Sequence, residues 1–174
     1  APDFLECDFL PAVMQVGGAD DRSFRSRMQL EAALARTSSV TFLCDARCYR
    51  GRPASLRVHV AASKALDAGY LHAKVVVFVH EDAVRLLVGS ANLTANGYRA
   101  NREVALAIRA EKKAPDAVRV VRDALASMRE HLAPWWTDAA EEALVAAEEV
   151  LAKLPSKHTS GDERFAWSGP KAPL

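Results

Sequence analysis

With 174 residues, half of them hydrophobic, the chain has enough apolar side chain for a folded core and fits one domain or one half of a two-domain protein. Its 23 Lys and Arg nearly balance 22 Asp and Glu, and a net charge of +1 gives no global field for gathering nucleic acid or an anionic membrane, so polyanion contacts have to come from a local patch. Three cysteines exclude a disulfide framework and point to a reducing compartment, while the absence of a bilayer-length apolar run or a signal-peptide pattern leads us to expect a cytoplasmic protein without stable membrane association.

Asp8-Phe9-Leu10-Pro11 closes a short apolar opening segment, and Gly17-Gly18 reads as a loop. Ser23 to Ala35, with Phe24, Met28, Leu30 and Leu34 apolar, predicts an amphipathic helix. Val40 to Cys44 is a strand, and a basic segment from Asp45 to Pro53 separates it from a second strand over Leu56 to Ala61. Cys44 and Cys48 have no second pair at metal-finger spacing, so they read as ordinary thiols, and neither metal nor cofactor is expected. Two further apolar runs flank His80-Glu81-Asp82, where the chain is expected to reverse between paired strands. Asn96-Gly97 marks a turn, and Val104 to Ile108 makes another strand. A helix follows over about Pro115 to Leu132, striped by Val118, Val121, Leu125, Met128 and Leu132. A second begins at a Thr137-Asp138 cap and carries Leu144, Ala147, Leu151 and Leu154 on one face, with Trp135-Trp136 between the two as a packing hinge. Residues 1–154 are therefore expected to form the domain, and residues 155–174 a tail or linker.

The chemistry concentrates in His72-Ala73-Lys74, Gly89-Ser90-Ala91-Asn92 and Glu103. Side chains two apart on a strand share a face, so His72 joins Lys74 and Ser90 joins Asn92, and pairing of the strands brings four polar groups around a space the size of a phosphate. Displacing an alkoxide from a phosphodiester without a metal needs a neutral nucleophile and groups that absorb charge on the nonbridging oxygens. Imidazole at His72 suits the first task; Lys74, the Asn92 amide and the Ser90 hydroxyl suit the second. Glu103 is placed to hold the His72 ring in one tautomer, with a surface ion pair as its alternative role. Arg47, Arg50, Arg52 and Arg57 are candidates for a polyanion groove, and Tyr49 and Tyr98 for stacking on bases, although solvated and packing roles compete.

His72-x-Lys74 followed by Gly89-Ser90-Ala91-Asn92 and Asn101-Arg102-Glu103 resembles the phospholipase D superfamily over about residues 40 to 110. The spacings, 18 positions from Lys74 to Asn92 and 11 more to Glu103, look like those of members acting on DNA, including the His-x-Lys half-site of tyrosyl-DNA phosphodiesterase. Many members carry an aspartate five positions after the lysine; here that position is Val79, which shifts weight toward the branches that lack it. The resemblance implies an α/β domain, a mixed β-sheet flanked by helices, and a metal-independent phosphodiesterase passing through a phosphohistidine on His72, with nucleic acid the favoured substrate. It also implies two facing motifs. His59, His80, His131 and His158 lack the remaining residues of a motif, so the second set is expected from a homodimer partner or from a missing half of a longer chain, the chain opening on Ala1 rather than Met. A phospholipase or phosphatidyltransferase, and a non-catalytic nucleic-acid-binding module of a helicase or restriction system, are the alternatives.

Overall fold

Two kinds of strand pairing build the molecule. The computed structural model describes residues 9–14, 24–36, 40–47, 49, 57–63 and 71–156. After the short helix α1 (Leu10–Met14) and helix α2 (Phe24–Leu34), strands β1 (Val40–Asp45) and β2 (Val58–Ser63) run parallel, Val40 opposite Val58 and Asp45 opposite Ser63. Strands β3 (Val75–Val79), β4 (Ala83–Gly89) and β5 (Ala105–Glu111) form an antiparallel sheet in the order β3-β4-β5. Helix α3 (Pro115–His131), a single turn over Ala133–Trp135 and helix α4 (Asp138–Ala152) complete the chain order.

Alternation explains the layers. Val84 and Leu86 of β4 are fully buried while Arg85 between them is exposed. With Ala110 of β5 they meet Val118, Val121, Ala124 and Leu125 of α3 and Leu144, Ala147 and Leu151 of α4 in one cluster. Burying each leucine or valine contributes roughly 1.5–3 kcal/mol before chain entropy is counted. On β1, Val40 and Phe42 join Leu10, Leu30, Leu34 and Val58 in a second cluster, whereas Thr41 donates its hydroxyl to the Ala139 carbonyl at 3.5 Å. Alternate residues of β1 thus serve α1–α2 and α4. Helix α4 contacts strands of both hydrogen-bonded groups and so helps join them.

The α/β class and the mixture of parallel and antiparallel pairing are as expected, but the described strands divide into a two-stranded and a three-stranded group instead of one continuous sheet. The strand expected over Leu56 to Ala61 begins at Val58 and continues to Ser63, because its register follows the whole of β1. Strand β5 runs past Ile108 to Glu111, paired residue for residue with β4; an Arg109–Glu111 ion pair of 2.7 Å lies on this polar extension, where hydrophobicity gives no signal. Thr137 caps α4 as anticipated, its hydroxyl accepting from Ala140 N–H at 3.3 Å. Leu154 lies beyond the helix end but still packs on the core. The tryptophan pair does act in packing: Trp135 is buried, and the Trp136 indole donates to Glu141 at 2.8 Å. Arg129 spans Glu141 and Glu148 at 2.8 and 2.9 Å, tying α3 to α4. The Gly17-Gly18 loop, Cys48, Arg50, Arg52 and residues 157–174 of the proposed tail lie outside the described residues. Among the described residues no helix is long and apolar enough to cross a membrane.

Candidate active site

Three chain segments lie side by side at one end of the antiparallel sheet. Gly89 N–H donates to the Lys74 carbonyl at 3.1 Å, which extends the β3–β4 pairing one residue beyond β3 toward His72. Ser90 N–H donates to the Val104 carbonyl at 3.0 Å, and Val104 N–H returns to the Ser90 hydroxyl at 3.1 Å. The expected meeting of residues 72–74, 89–92 and 101–104 therefore rests on main-chain hydrogen bonds. Gly89 is required by that closeness, since a Cβ there would stand 2.8 Å from the Val104 carbonyl oxygen.

His72 is exposed, and its ring meets Lys74 directly. Lys74 Nζ lies 2.8 Å from His72 Nδ1 and donates to the His72 carbonyl at 2.7 Å. Strand-like alternation puts the two side chains on one side, which is what makes this i,i+2 contact possible. As an ammonium, Lys74 has only donors, so Nδ1 accepts and the neutral ring carries its proton on Nε2. Partial burial lowers the Lys74 pKa from its ordinary value, with the negative charge of Glu103 working in the opposite direction.

Glu103 is placed differently from the role expected of it. One carboxylate oxygen accepts from the Ser90 hydroxyl, and the other from the Asn101 amide at 3.2 Å. These two bonds, Ser90 first, hold the Glu103 carboxyl below the usual carboxylate range, with the Lys74 charge adding to them against a smaller desolvation effect. The His72 ring thus takes its partner from Lys74, and Glu103 orders Ser90 and Asn101. The Ser90 hydroxyl has given its one proton to Glu103 and accepts from Val104, so in this arrangement it positions the carboxylate and is not itself free to donate to a phosphate. Asn101 was visible in the sequence only as a neighbour of Glu103; its amide is what fixes the second oxygen.

Asn92 is exposed but its backbone is fixed from three directions. Its carbonyl accepts from Thr94 N–H at 2.7 Å, and Leu93 packs on the Leu10–Leu34–Val58 cluster. The buried Gly97 presses against it: a Cβ at Gly97 would fall 2.2 Å from the Asn92 carbonyl oxygen. The Asn96-Gly97 turn signal is realised as a wide helical turn over Asn96–Ala100, whose entry is closed by Gly97 N–H donating to the Thr94 hydroxyl at 3.1 Å.

Among the proposed groove arginines, Arg47 bends back onto its own strand end. Its main-chain N–H and Nε both donate to Asp45 Oδ1, at 2.9 and 2.8 Å, and its terminal nitrogen binds Oδ2. Asp45 is the buried acidic residue of the described structure, and this pairing sets Arg47 as a clamp on Asp45 in place of a groove lining. Arg57 is exposed beside β2. Tyr98 meets Phe9 edge-to-face, ring centres 5.5 Å apart, which favours the packing role over base stacking.

An exposed imidazole held by an ammonium, next to an ordered Ser–Glu–Asn group and an anchored asparagine, is a setting for a phosphodiester. Residues 26–128 match the family described as cardiolipin synthase, PLD-like domain. The chain belongs to the phospholipase D-like family. No curated protein and no solved structure matches it. Membership supports phosphodiester hydrolysis or transfer as the reaction class, and the matched span contains all of His72, Lys74, Ser90, Asn92 and Glu103.

Proposed function

We propose that this phospholipase D-like domain is a metal-independent phosphodiesterase acting on nucleic acid, with His72 as nucleophile and a second copy of the same motif completing the site. The observation that carries the reading is the exposed His72–Lys74 contact: a nucleophile and a phosphate-binding cation already share one solvent-facing point. A phosphate arriving there draws the ammonium of Lys74 onto its nonbridging oxygens and frees Nδ1 of the ring. Once Nδ1 is free, the ring exchanges its proton with water and takes up the Nδ1–H tautomer; Nε2 then attacks phosphorus, the P–N bond forms and the P–O bond to the leaving group breaks. The leaving oxygen takes a proton from a second imidazole in its doubly protonated, cationic form, which becomes neutral as the leaving group departs. Water then attacks the phosphohistidine, giving its proton back to the second ring, and both rings return to their starting state. Lys74 and the Asn92 amide stabilise the charge that builds on the phosphoryl oxygens. Glu103 acts through Ser90 and Asn101 by fixing the floor of the site and by its charge on Lys74.

One set of residues supplies one imidazole, so the reading requires two copies of His72 across a twofold axis, or a second motif elsewhere in a longer protein. The description of the matched family supports a lipid phosphodiester as the alternative substrate. A single assay separates the two: the protein is incubated in excess chelator with a labelled single-stranded oligonucleotide and, in parallel, with phosphatidylglycerol vesicles, while sedimentation reports its mass. Cleavage of the oligonucleotide that survives chelation and disappears in His72→Ala, together with an acid-labile phosphoryl adduct on the protein, is the expected result. Turnover confined to the vesicles overturns the substrate assignment; loss of oligonucleotide cleavage in chelator overturns the mechanism.

A further inference from the structure

We infer that Asp45, far from His72 in sequence, is a positioning residue for the nucleophile, acting through the main chain of Leu71; the inference rests on the proposed role of His72. Asp45 closes β1 and its side chain is 1% exposed. A carboxylate buried to that degree is costly unless all its acceptor sites are used, and here they are. Oδ1 accepts both the main-chain N–H and Nε of Arg47; Oδ2 accepts the terminal nitrogen of Arg47 and, at 3.2 Å, the N–H of Leu71. Leu71 is the residue immediately before His72.

The location of this bond gives it its purpose. Strand β1 belongs to the parallel pair and His72 leads into the antiparallel sheet, and no strand-to-strand hydrogen bond joins the two groups among the described residues. The Lys74 carbonyl is tied to β4 through Gly89, which fixes the downstream side of the His72 segment. Asp45 fixes the upstream side. With one anchor at position 71 and the other at position 74, the intervening backbone has little freedom to shift, and the His72 ring is delivered to one place. Displacements of about 1 Å at a reacting atom cost on the order of 10²-fold in rate, so an anchor of this kind is felt in turnover.

Asparagine at position 45 has nearly the same shape but only one acceptor oxygen. Its amide nitrogen has to stand either at the Oδ1 position, against the main-chain N–H and Nε of Arg47, or at the Oδ2 position, against the terminal nitrogen of Arg47 and the Leu71 N–H; all of these are donors, so either placement disrupts the set that holds Leu71. Asp45→Asn is therefore the informative change. The expected result is a fall in kcat of about 10- to 100-fold with KM nearly unchanged, measured well below the melting temperature. Two readouts do not depend on turnover. The Leu71 amide, slow to exchange with solvent in the unaltered protein, becomes faster by at least about tenfold in Asp45→Asn. The ring nitrogen resonances of His72 move toward those of an unrestrained imidazole as the Lys74 contact loosens. Arg47→Ala, which leaves the Leu71 bond but removes the clamp on Asp45, gives the same changes to a smaller extent and serves if Asp45→Asn does not fold. Unchanged Leu71 exchange and an unmoved His72 ring in both variants would overturn the inference, as would a lowered melting temperature with normal kcat. If the unaltered protein proves inactive on phosphodiesters, the proposed function fails, while the exchange and ring measurements still decide whether Asp45 positions His72.

Discussion

The two ends of the antiparallel sheet are held by different forces. Where α3 and α4 cover it, Val84, Leu86 and Ala110 are fully buried, and their side chains are fixed by apolar packing. At the open end, Lys74, Ser90, Asn101 and Glu103 are held by hydrogen bonds among partly or fully exposed groups. Packing is non-directional and tolerates small shifts, whereas a hydrogen bond loses strength within a few tenths of an ångström or a few tens of degrees. The covered end therefore sets where the strands lie, and the open end sets where the functional groups point. Stability and activity are consequently separable in this domain by single substitutions.

The sharpest separation comes from His72→Ala. Removing the proposed nucleophile is expected to lower turnover by on the order of 10⁴-fold or more. Because the ring is exposed, the melting temperature should hardly change. A large drop in melting temperature would show that the open end carries the fold as well. Leu86→Ala tests the converse. Leu86 is fully buried and sits mid-strand between Val77 and Ile108, so the cavity and lost burial should cost about 2–5 kcal/mol in denaturant unfolding. Its kcat, taken where the variant is still folded, should match that of the unaltered protein. Gly97→Ala lies between these two. A Cβ at 2.2 Å from the Asn92 carbonyl has to push backbone, and the Asn92 amide moves with it. We expect a loss of about 10²-fold in kcat, with circular dichroism still showing a folded protein. Full activity in Gly97→Ala would remove Asn92 from the proposed charge-stabilising groups.

This division also explains what could be read in the sequence. Strands β3 and β4, helix α3 and the Thr137 cap of α4 announce themselves because alternation, helical stripes and capping are local patterns that tertiary packing here reinforces. Period-two spacing on paired strands put His72 with Lys74 and Ser90 with Asn92, and the first of these pairings is a direct side-chain contact in the structure. The partners of Glu103 were not legible. Glu103 accepts from Ser90 and Asn101, and the Ser90 hydroxyl is itself held by the Val104 N–H, an arrangement that spacing alone does not select. Asp45 gave no signal, since an aspartate ending a strand before a basic stretch reads as a surface residue; only the fold brings Leu71, 26 positions later, to it. Arg47, expected in a groove, instead clamps Asp45 through its own main-chain and guanidinium bonds. Asn96-Gly97 signalled a turn but not its role, because the reason for glycine lies in the Asn92 backbone five residues earlier.

The smallest expected effects are in the pH profile, and they test whether the open end works as one electrostatic unit. Lys74 must be an ammonium to hold a phosphate, and burial lowers its pKa from 10.5, so it loses its proton earlier as pH rises than a free lysine does. The alkaline limb of kcat/KM, which reports the free protein, should therefore fall below 10.5. The charge of Glu103 acts in the opposite sense on Lys74, so Glu103→Gln should move that limb to still lower pH. At the acid end the sign reverses. Glu103 titrates below 4.5, chiefly through Ser90, so the stability it contributes is present above that value and is lost as pH falls through the depressed one. Ser90→Ala removes the main cause and should bring the acid-unfolding limb up toward the ordinary carboxylate range. An alkaline limb that does not move in Glu103→Gln, or an acid limb that stays put in Ser90→Ala, would mean that the contacts at this end of the sheet are independent of one another, and that Lys74 answers only to its own burial.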